Sequence, residues 1–151
     1  MAKEIPLTRG YVAIVDDEDY ERLSGFSYYA HISKCTVYAR RRSTHAGPAF
    51  YMHKEILPGG KVDHRDGDGL NNRRSNLRHA TQTQNMQNRR AKRNGTSRFK
   101  GVHFYKRYGK WMVMVNQLFV GYFVTEREAA LAYNEAAKAK YGEFARLNEV
   151  A

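Results

Sequence analysis

The stretch Val62-Asp63-His64-Arg65-Asp66-Gly67-Asp68-Gly69-Leu70-Asn71-Asn72 constrains this chain more than any other. Between Arg65 and Ser75 the only large apolar residue is Leu70, so neither a helix nor a strand could bury a face there. A polar loop over 65–75 is predicted, and the elements around it must be short. Lys61-Val62-Asp63 is predicted as a short strand before the loop and Leu77–Ala80 as a second one after it. Thr81 and Gln84 make a T-x-x-Q capping box, which predicts a helix opening near Thr81 and continuing through Arg90. Asn85 falls just over one turn into that helix.

The residues at the mouth of the loop carry chemistry. His64 stands beside Asp63, Asn76 follows twelve residues later, and Asn85 nine after that. One base and two hard oxygen donors are the minimum parts for metal-assisted phosphodiester cleavage. Imidazole suits the base because it titrates near operating pH. Adjacent residues of a regular strand point to opposite sides, so the strand must twist or end at Asp63-His64. An EF-hand reading of Asp66 and Asp68 fails, because Leu70 and Leu77 occupy positions that a calcium loop needs for ligands. These acids, with Asn71 and Asn72, are read as loop formers.

This spacing resembles the HNH motif of the ββα-metal endonucleases, in the phage and intron-borne variant whose final His is replaced by Asn. The resemblance implies that His64 is the general base and that Asp63 and Asn85 are the two protein ligands of a single divalent cation. Hard oxygen donors suit magnesium, with manganese as the substitute, at one ion per active site. Asn76 would orient the base by bonding backbone groups across the loop. His53, in Met52-His53-Lys54, matches a His that often precedes the motif, where it orients the site or touches phosphate. Zinc is disfavoured for want of thiols, since Cys35 is the single cysteine and no CxxC pair exists. Arg73, Arg74 and Arg78 are candidates for DNA backbone contact, and His79, on the second strand, is assigned to packing.

Upstream, short alternating bursts predict strands at Ile5-Pro6-Leu7 and Tyr11–Val15, joined by Arg9-Gly10. Asp16-Asp17-Glu18-Asp19-Tyr20-Glu21-Arg22-Leu23 reads as a short helix capped by Asp16 or Asp17, with Gly25 as its stop. The acidic run is assigned to capping rather than to a metal. Phe26–His31 and Thr36–Arg42 are predicted as a hairpin, and Pro58-Gly59-Gly60 as a breaker.

Charge sets the next part of the chain apart. The net charge is +11, yet residues 86–116 alone carry nine Lys/Arg and no Asp/Glu. Such a stripe is the electrostatic footprint of a polyanion partner. Within it, Arg89, Arg90, Lys92, Arg93 and Arg98 are assigned to phosphate contact. Three strands are predicted at Gly101–Lys106, Lys110–Val115 and Leu118–Phe123, with turns at Tyr108-Gly109 and Asn116-Gln117. A second capping box, Thr125-x-x-Glu128, opens a helix with Ala129, Ala130, Tyr133, Ala136, Ala137 and Tyr141 on one face.

Gly101-Val102, Gly121-Tyr122-Phe123, Ala129-Ala130-x-x-Tyr133 and the closing Phe144-Ala145-Arg146-Leu147-Asn148 resemble the APETALA/ethylene-response-factor DNA-binding domain. Members lay a three-stranded sheet in the major groove. Period-two alternation predicts Val102, Phe104, Trp111, Val113, Val115 and Val120 facing the helix. It points Lys100, His103, Tyr105, Arg107, Met112, Met114, Asn116 and Phe119 outward. Lys100, His103, Tyr105 and Arg107 are therefore the candidate DNA contacts.

The expected fold class is α+β. A strand-rich leader and a ββα-metal nuclease unit occupy residues 1–93 (core motif 51–90), and a three-stranded antiparallel sheet on one helix occupies 94–151. The expected function is an HNH homing-type endonuclease acting on double-stranded DNA, with a DNA-binding regulator of inactive nuclease unit as the rival. With no apolar run near membrane length and no signal-type start, no membrane association or obligatory protein partner is expected, and a cytoplasmic location, that of the host cell for a phage gene, is.

Overall fold

The structure is a computed structural model that describes residues 1–34, 36–44, 46–89 and 95–150. Helix and strand are mixed, and every sheet is small and antiparallel, as the α+β expectation requires. The chain divides into two compact units, Met1–Gln82 and Thr83–Ala151.

In the first unit β1 (Ala2–Pro6) and β2 (Val12–Asp16) form a hairpin in which Ile5 opposes Ala13. Its connection runs through a 3-10 turn, Thr8–Gly10, with Arg9 in the left-handed region at φ 62°. Helix α1 (Asp17–Ser24) follows directly. Strands β3 (Tyr29–Ile32), β4 (Val37–Arg42) and β5 (Ala49–Tyr51) make a sheet in that order, and α2 (Met52–Ile56) leaves the end of β5. A two-stranded ribbon, β6 (Val62–His64) and β7 (Leu77–His79), brackets the polar loop. One core joins these pieces: Ile5, Val15, Leu23, Ala39, Met52, Ile56 and Leu77 are all buried together. Each is the inward residue of a short amphipathic element, and none of those elements could bury its face alone.

Two details depart from the sequence reading. Asp16 occupies the N-cap position of α1, but its carboxylate makes no cap bond. It accepts instead from Arg73 Nε (3.0 Å) and the Arg74 backbone N–H (2.8 Å), where it meets the full charge of a guanidinium as well as a backbone donor. Helix α3 (Gln82–Gln87) starts as the capping pattern predicts but ends before Arg90. Arg90, Lys92 and Arg93 lie outside the described residues.

In the second unit β8 (Val102–Tyr105), β9 (Lys110–Val115) and β10 (Leu118–Phe123) form a meander with β9 central. The β9–β10 turn places Asn116 at φ 49° and Gln117 at φ 39°, the two positive values that match the twist of a hairpin. Helix α4 (Glu126–Tyr141) opens with both bonds of its capping box, Glu128 N–H to Thr125 Oγ1 and Thr125 N–H to Glu128 Oε2, each 3.2 Å. Ala129, Ala130, Tyr133 and Ala137 pack on Val102, Val113 and Val115. Small residues on α4 let it lie close enough that a Cβ at Gly101 would stand 2.2 Å from the Tyr133 ring. The tail is stapled by Asn148, whose side chain accepts from Lys100 N–H (2.7 Å) and donates to Lys100 O (3.1 Å), while Asn134 bonds its backbone. Phe104 departs from the predicted inward face. It is 38% exposed, because it sits at the sheet margin, against Trp111 at 5.0 Å.

Candidate active site and nucleic-acid face

The polar loop is held from three directions. Leu70 O accepts from Ile14 N–H (2.9 Å) and Ile14 O accepts from Asn72 N–H (2.7 Å), so β2 runs alongside it. Thr36 Oγ1 accepts from Gly69 N–H (3.0 Å), and Gly69 passes so close to β4 that a Cβ there would stand 2.4 Å from Val37 O. On the third side Arg74 bonds the buried Asp19 through Nε (2.8 Å) and Nη2 (2.9 Å). Burial alone would raise the Asp19 pKa, but Arg74 and Arg22 hold it below the usual carboxylate value. Arg73 and Arg74, candidates for DNA contact on sequence grounds, thus clamp the loop to α1. The acidic run is their counter-surface.

Inside the loop Asn76 is the central fastener. Its Nδ2 donates to Asp66 Oδ1 (2.9 Å) and Asn71 O (2.8 Å), and its Oδ1 accepts from Asp66 N–H (3.1 Å). Burial would raise the Asp66 pKa, yet the donors from Asp68, Asn71 and Asn76 carry it below normal. The loop therefore keeps a carboxylate at its own centre.

His64 ends β6 and is 5% exposed. Its Nε2 lies 3.3 Å from Asn72 Oδ1. Asn72 is fully buried, and its Nδ2 donates to Leu70 O (3.1 Å), which fixes which end of the amide faces the imidazole. In the neutral ring this contact has Nε2–H donating to the amide oxygen. Burial lowers the His64 pKa, against the pull of Asn72 and the nearby Asp66, so the ring is neutral at operating pH. Next to it lies His53, edge to face at 5.0 Å between ring centroids, with Tyr38 at 5.5 Å from His53 and 5.9 Å from His64. His53 is 7% exposed, and its Nδ1 is buried without a hydrogen-bond partner. Burial first, then the neighbouring His64 and Lys54 charges, push its pKa down to about 3.

Asp63 and Arg78 face each other across the ribbon, with Nε and Nη2 at 2.9 and 2.8 Å from Oδ2 and both side chains buried. Arg78 is thereby withdrawn from the DNA-contact role, since a guanidinium this buried needs its carboxylate. His79, expected to pack, is exposed at the strand end. Asn85 lies on the part of α3 that belongs to the second unit, and its Oδ1 is buried with no hydrogen-bond partner. An orphaned amide oxygen fits a cation ligand. Among the described residues no group of three or more His, Cys, Asp or Glu is arranged to hold a metal.

Asn72 and Tyr38 are the residues that sequence reasoning missed. Nothing local distinguishes an amide that turns a loop from one that holds an imidazole, and Tyr38 sits in a hairpin 26 residues before His64.

In the second unit His103, Arg107, Lys106, Lys110 and Arg98 are exposed, and Tyr105 is half-buried among Tyr108 (5.2 Å) and Tyr122 (5.7 Å). Lys100 does not point outward. Its ammonium donates to Gln87 O, and burial, with Arg146 nearby, lowers its pKa to about 8. Arg89 is exposed.

The HNH endonuclease family matches residues 49–87. The chain is also similar to three Arabidopsis thaliana proteins. Dehydration-responsive element-binding proteins 2C and 2A are 46% and 44% identical over 61 residues, and the putative 2H protein 43%. The similarity covers 36% of this chain in each case, but only 18% of the 2C and 2A proteins and 38% of 2H. No solved structure matches the chain significantly, and no helix among the described residues is long and apolar enough to cross a membrane. The chain thus carries one segment similar to the HNH endonuclease family and another similar to the dehydration-responsive element-binding proteins.

Proposed function

We propose that this protein is a metal-dependent endonuclease of the HNH homing type that hydrolyses phosphodiester bonds in duplex DNA. The observation that carries the reading is the buried contact of His64 Nε2 with Asn72 Oδ1, 3.3 Å. A buried, neutral imidazole with Nε2–H committed to Asn72 is a general base, its Nδ1 set to accept a proton. As that nitrogen takes the proton, the water oxygen attacks phosphorus and the P–O3′ bond breaks, leaving a 5′-phosphate and a 3′-oxygen that is protonated from solvent. His53 and Tyr38 wall the base off from bulk water, and Asn76 keeps the loop in register. Asp63 and Asn85 are the proposed cation ligands, and a bound magnesium or manganese ion would stabilise charge on the phosphate and the departing oxygen. The first and second units are proposed to divide labour between cutting and holding, with Arg89, Arg90, Lys92 and Arg93 on phosphates.

The rival is a DNA-binding regulator with a silent nuclease segment. The closure of Asp63 by Arg78 and the element binding for which the plant relatives are named favour it. Supercoiled plasmid separates the two. The parent protein with magnesium is expected to nick or linearise it, EDTA to abolish this, and His64→Ala to slow it by about 10²–10⁴-fold while DNA binding persists. Cleavage by the EDTA-treated protein, or unchanged cleavage by the variant, refutes the mechanism.

A further inference from the structure

The outer face of the β8–β9–β10 sheet is unlike a hydrogen-bonding reader of bases. In register across it stand His103, Met112 and Tyr122, then Met114 and Phe119. Phe119 is 50% exposed and Tyr122 38%, with their rings 5.1 Å apart. The three strands, Val102–Tyr105, Lys110–Val115 and Leu118–Phe123, contain no Arg, Asn, Gln, Asp or Glu. Those, with Lys, are the residues that pair with guanine, adenine and cytosine edges in the major groove, and the one Lys of these strands, Lys110, stands at the first position of β9. What an apolar face can recognise there is the C5-methyl group of thymine.

Charge says what occupies this face. From Met86 to Thr125 there is no carboxylate, and Lys106, Arg107 and Lys110 are exposed at one end of the strands. Cations at that end suit phosphates, and the apolar middle suits base edges. The aromatic rings pack on one another, Tyr108 against Tyr122 at 5.2 Å and 81° and Phe119 against Tyr122 at 58°, rather than presenting open parallel platforms for stacked, unpaired bases.

We infer that this sheet face reads thymine methyl groups in the major groove, through Met112, Met114, Phe119 and Tyr122, and so selects thymine-rich duplex sites. The inference rests on the proposed duplex-DNA reading of the second unit.

The test uses the full chain in EDTA, which prevents cutting. The best-bound duplex is selected from a randomised pool and remade with deoxyuridine in place of thymidine, which deletes only the methyl. Removing each methyl that the sheet touches is expected to weaken binding about four-fold, the worth of one buried methylene-sized group. Phe119→Ala is expected to shrink the thymidine–deoxyuridine difference, while Lys110→Ala weakens both duplexes alike. Equal binding of the two duplexes overturns the inference and leaves duplex binding standing. Failure to bind any duplex overturns the underlying reading as well, and tighter binding of a single strand of the same sequence overturns the inference in favour of base stacking.

Discussion

Lowering the pH from 8 to 5 should weaken the first unit by an amount that His53 sets. The unfolded chain protonates this imidazole near 6.5, whereas burial against Tyr38, Tyr51 and His64 lowers the folded value to about 3. The folded state therefore refuses a proton that the unfolded state accepts. Stability is complete above about pH 6.5 and drains away as the pH falls toward 3. At pH 5 the unfolded group is almost fully protonated and the folded one almost not, which costs about 2 kcal/mol. His64, whose pKa is lowered by the same burial, adds to the loss in the same direction. The carboxylates with lowered pKa values, Asp17, Asp19 and Asp66, contribute only at more acidic pH, so this window belongs to histidines. Peptide-resolved hydrogen exchange under mild denaturant would measure it, with β4 reporting the first unit and β9 serving as internal reference. His53→Phe, which keeps an aromatic ring in the cluster, should remove about 2 kcal/mol of the pH dependence whatever it does to stability at pH 8. An unchanged pH dependence in that variant would refute the burial argument.

The geometry sets three further outcomes. Arg78→Ala strands the buried Asp63 carboxylate and should destabilise the protein by about 3–5 kcal/mol in urea melts, while Asp63→Asn together with Arg78→Met should recover most of that stability. Asn72→Ala removes the acceptor of the His64 Nε2 proton and should slow plasmid cleavage on the order of ten- to a hundred-fold at unchanged DNA affinity, the usual worth of a group that orients a catalytic partner; undiminished cleavage would show that the tautomer is not set there. Replacing Arg89, Arg90, Lys92 and Arg93 with Gln should flatten the salt dependence of DNA binding by about 0.9 for each phosphate no longer neutralised, read as the slope of log K against log salt, with site preference unaltered.

The second unit was almost wholly legible in the sequence, because its signals are local. Two turns, a capping box and period-two alternation fix three strands and a helix, and only Phe104 and Lys100 depart, each at a margin where a neighbour rather than the alternation decides. The HNH-like segment was legible in a different way. The spacing of Asp63, His64, Asn76 and Asn85 carries the HNH resemblance, but local pattern says nothing of what each side chain touches. Arg78 looks like any solvated arginine until β6 and β7 are paired and it meets Asp63. The acidic run 16–19 looks like a helix cap until Arg73 and Arg74, 57 and 55 residues away from the carboxylates they meet, arrive beside it. Contacts of that range leave no period in a sequence.

That clamp has a consequence for portability. Residues 49–87, where the family resemblance lies, are not a cassette that could be moved to another scaffold. The loop borrows its shape from Ile14 and Thr36 and its anchorage from Asp16 and Asp19, all of them upstream of the matched segment. A transplant of the matched residues alone would arrive with two arginines lacking counter-ions, and Leu70 and Asn72 would lose the backbone bonds to Ile14 that hold the loop against β2. The smallest graft that preserves the polar loop must reach back through α1 and β2 to β1, the strand on which β2 is paired.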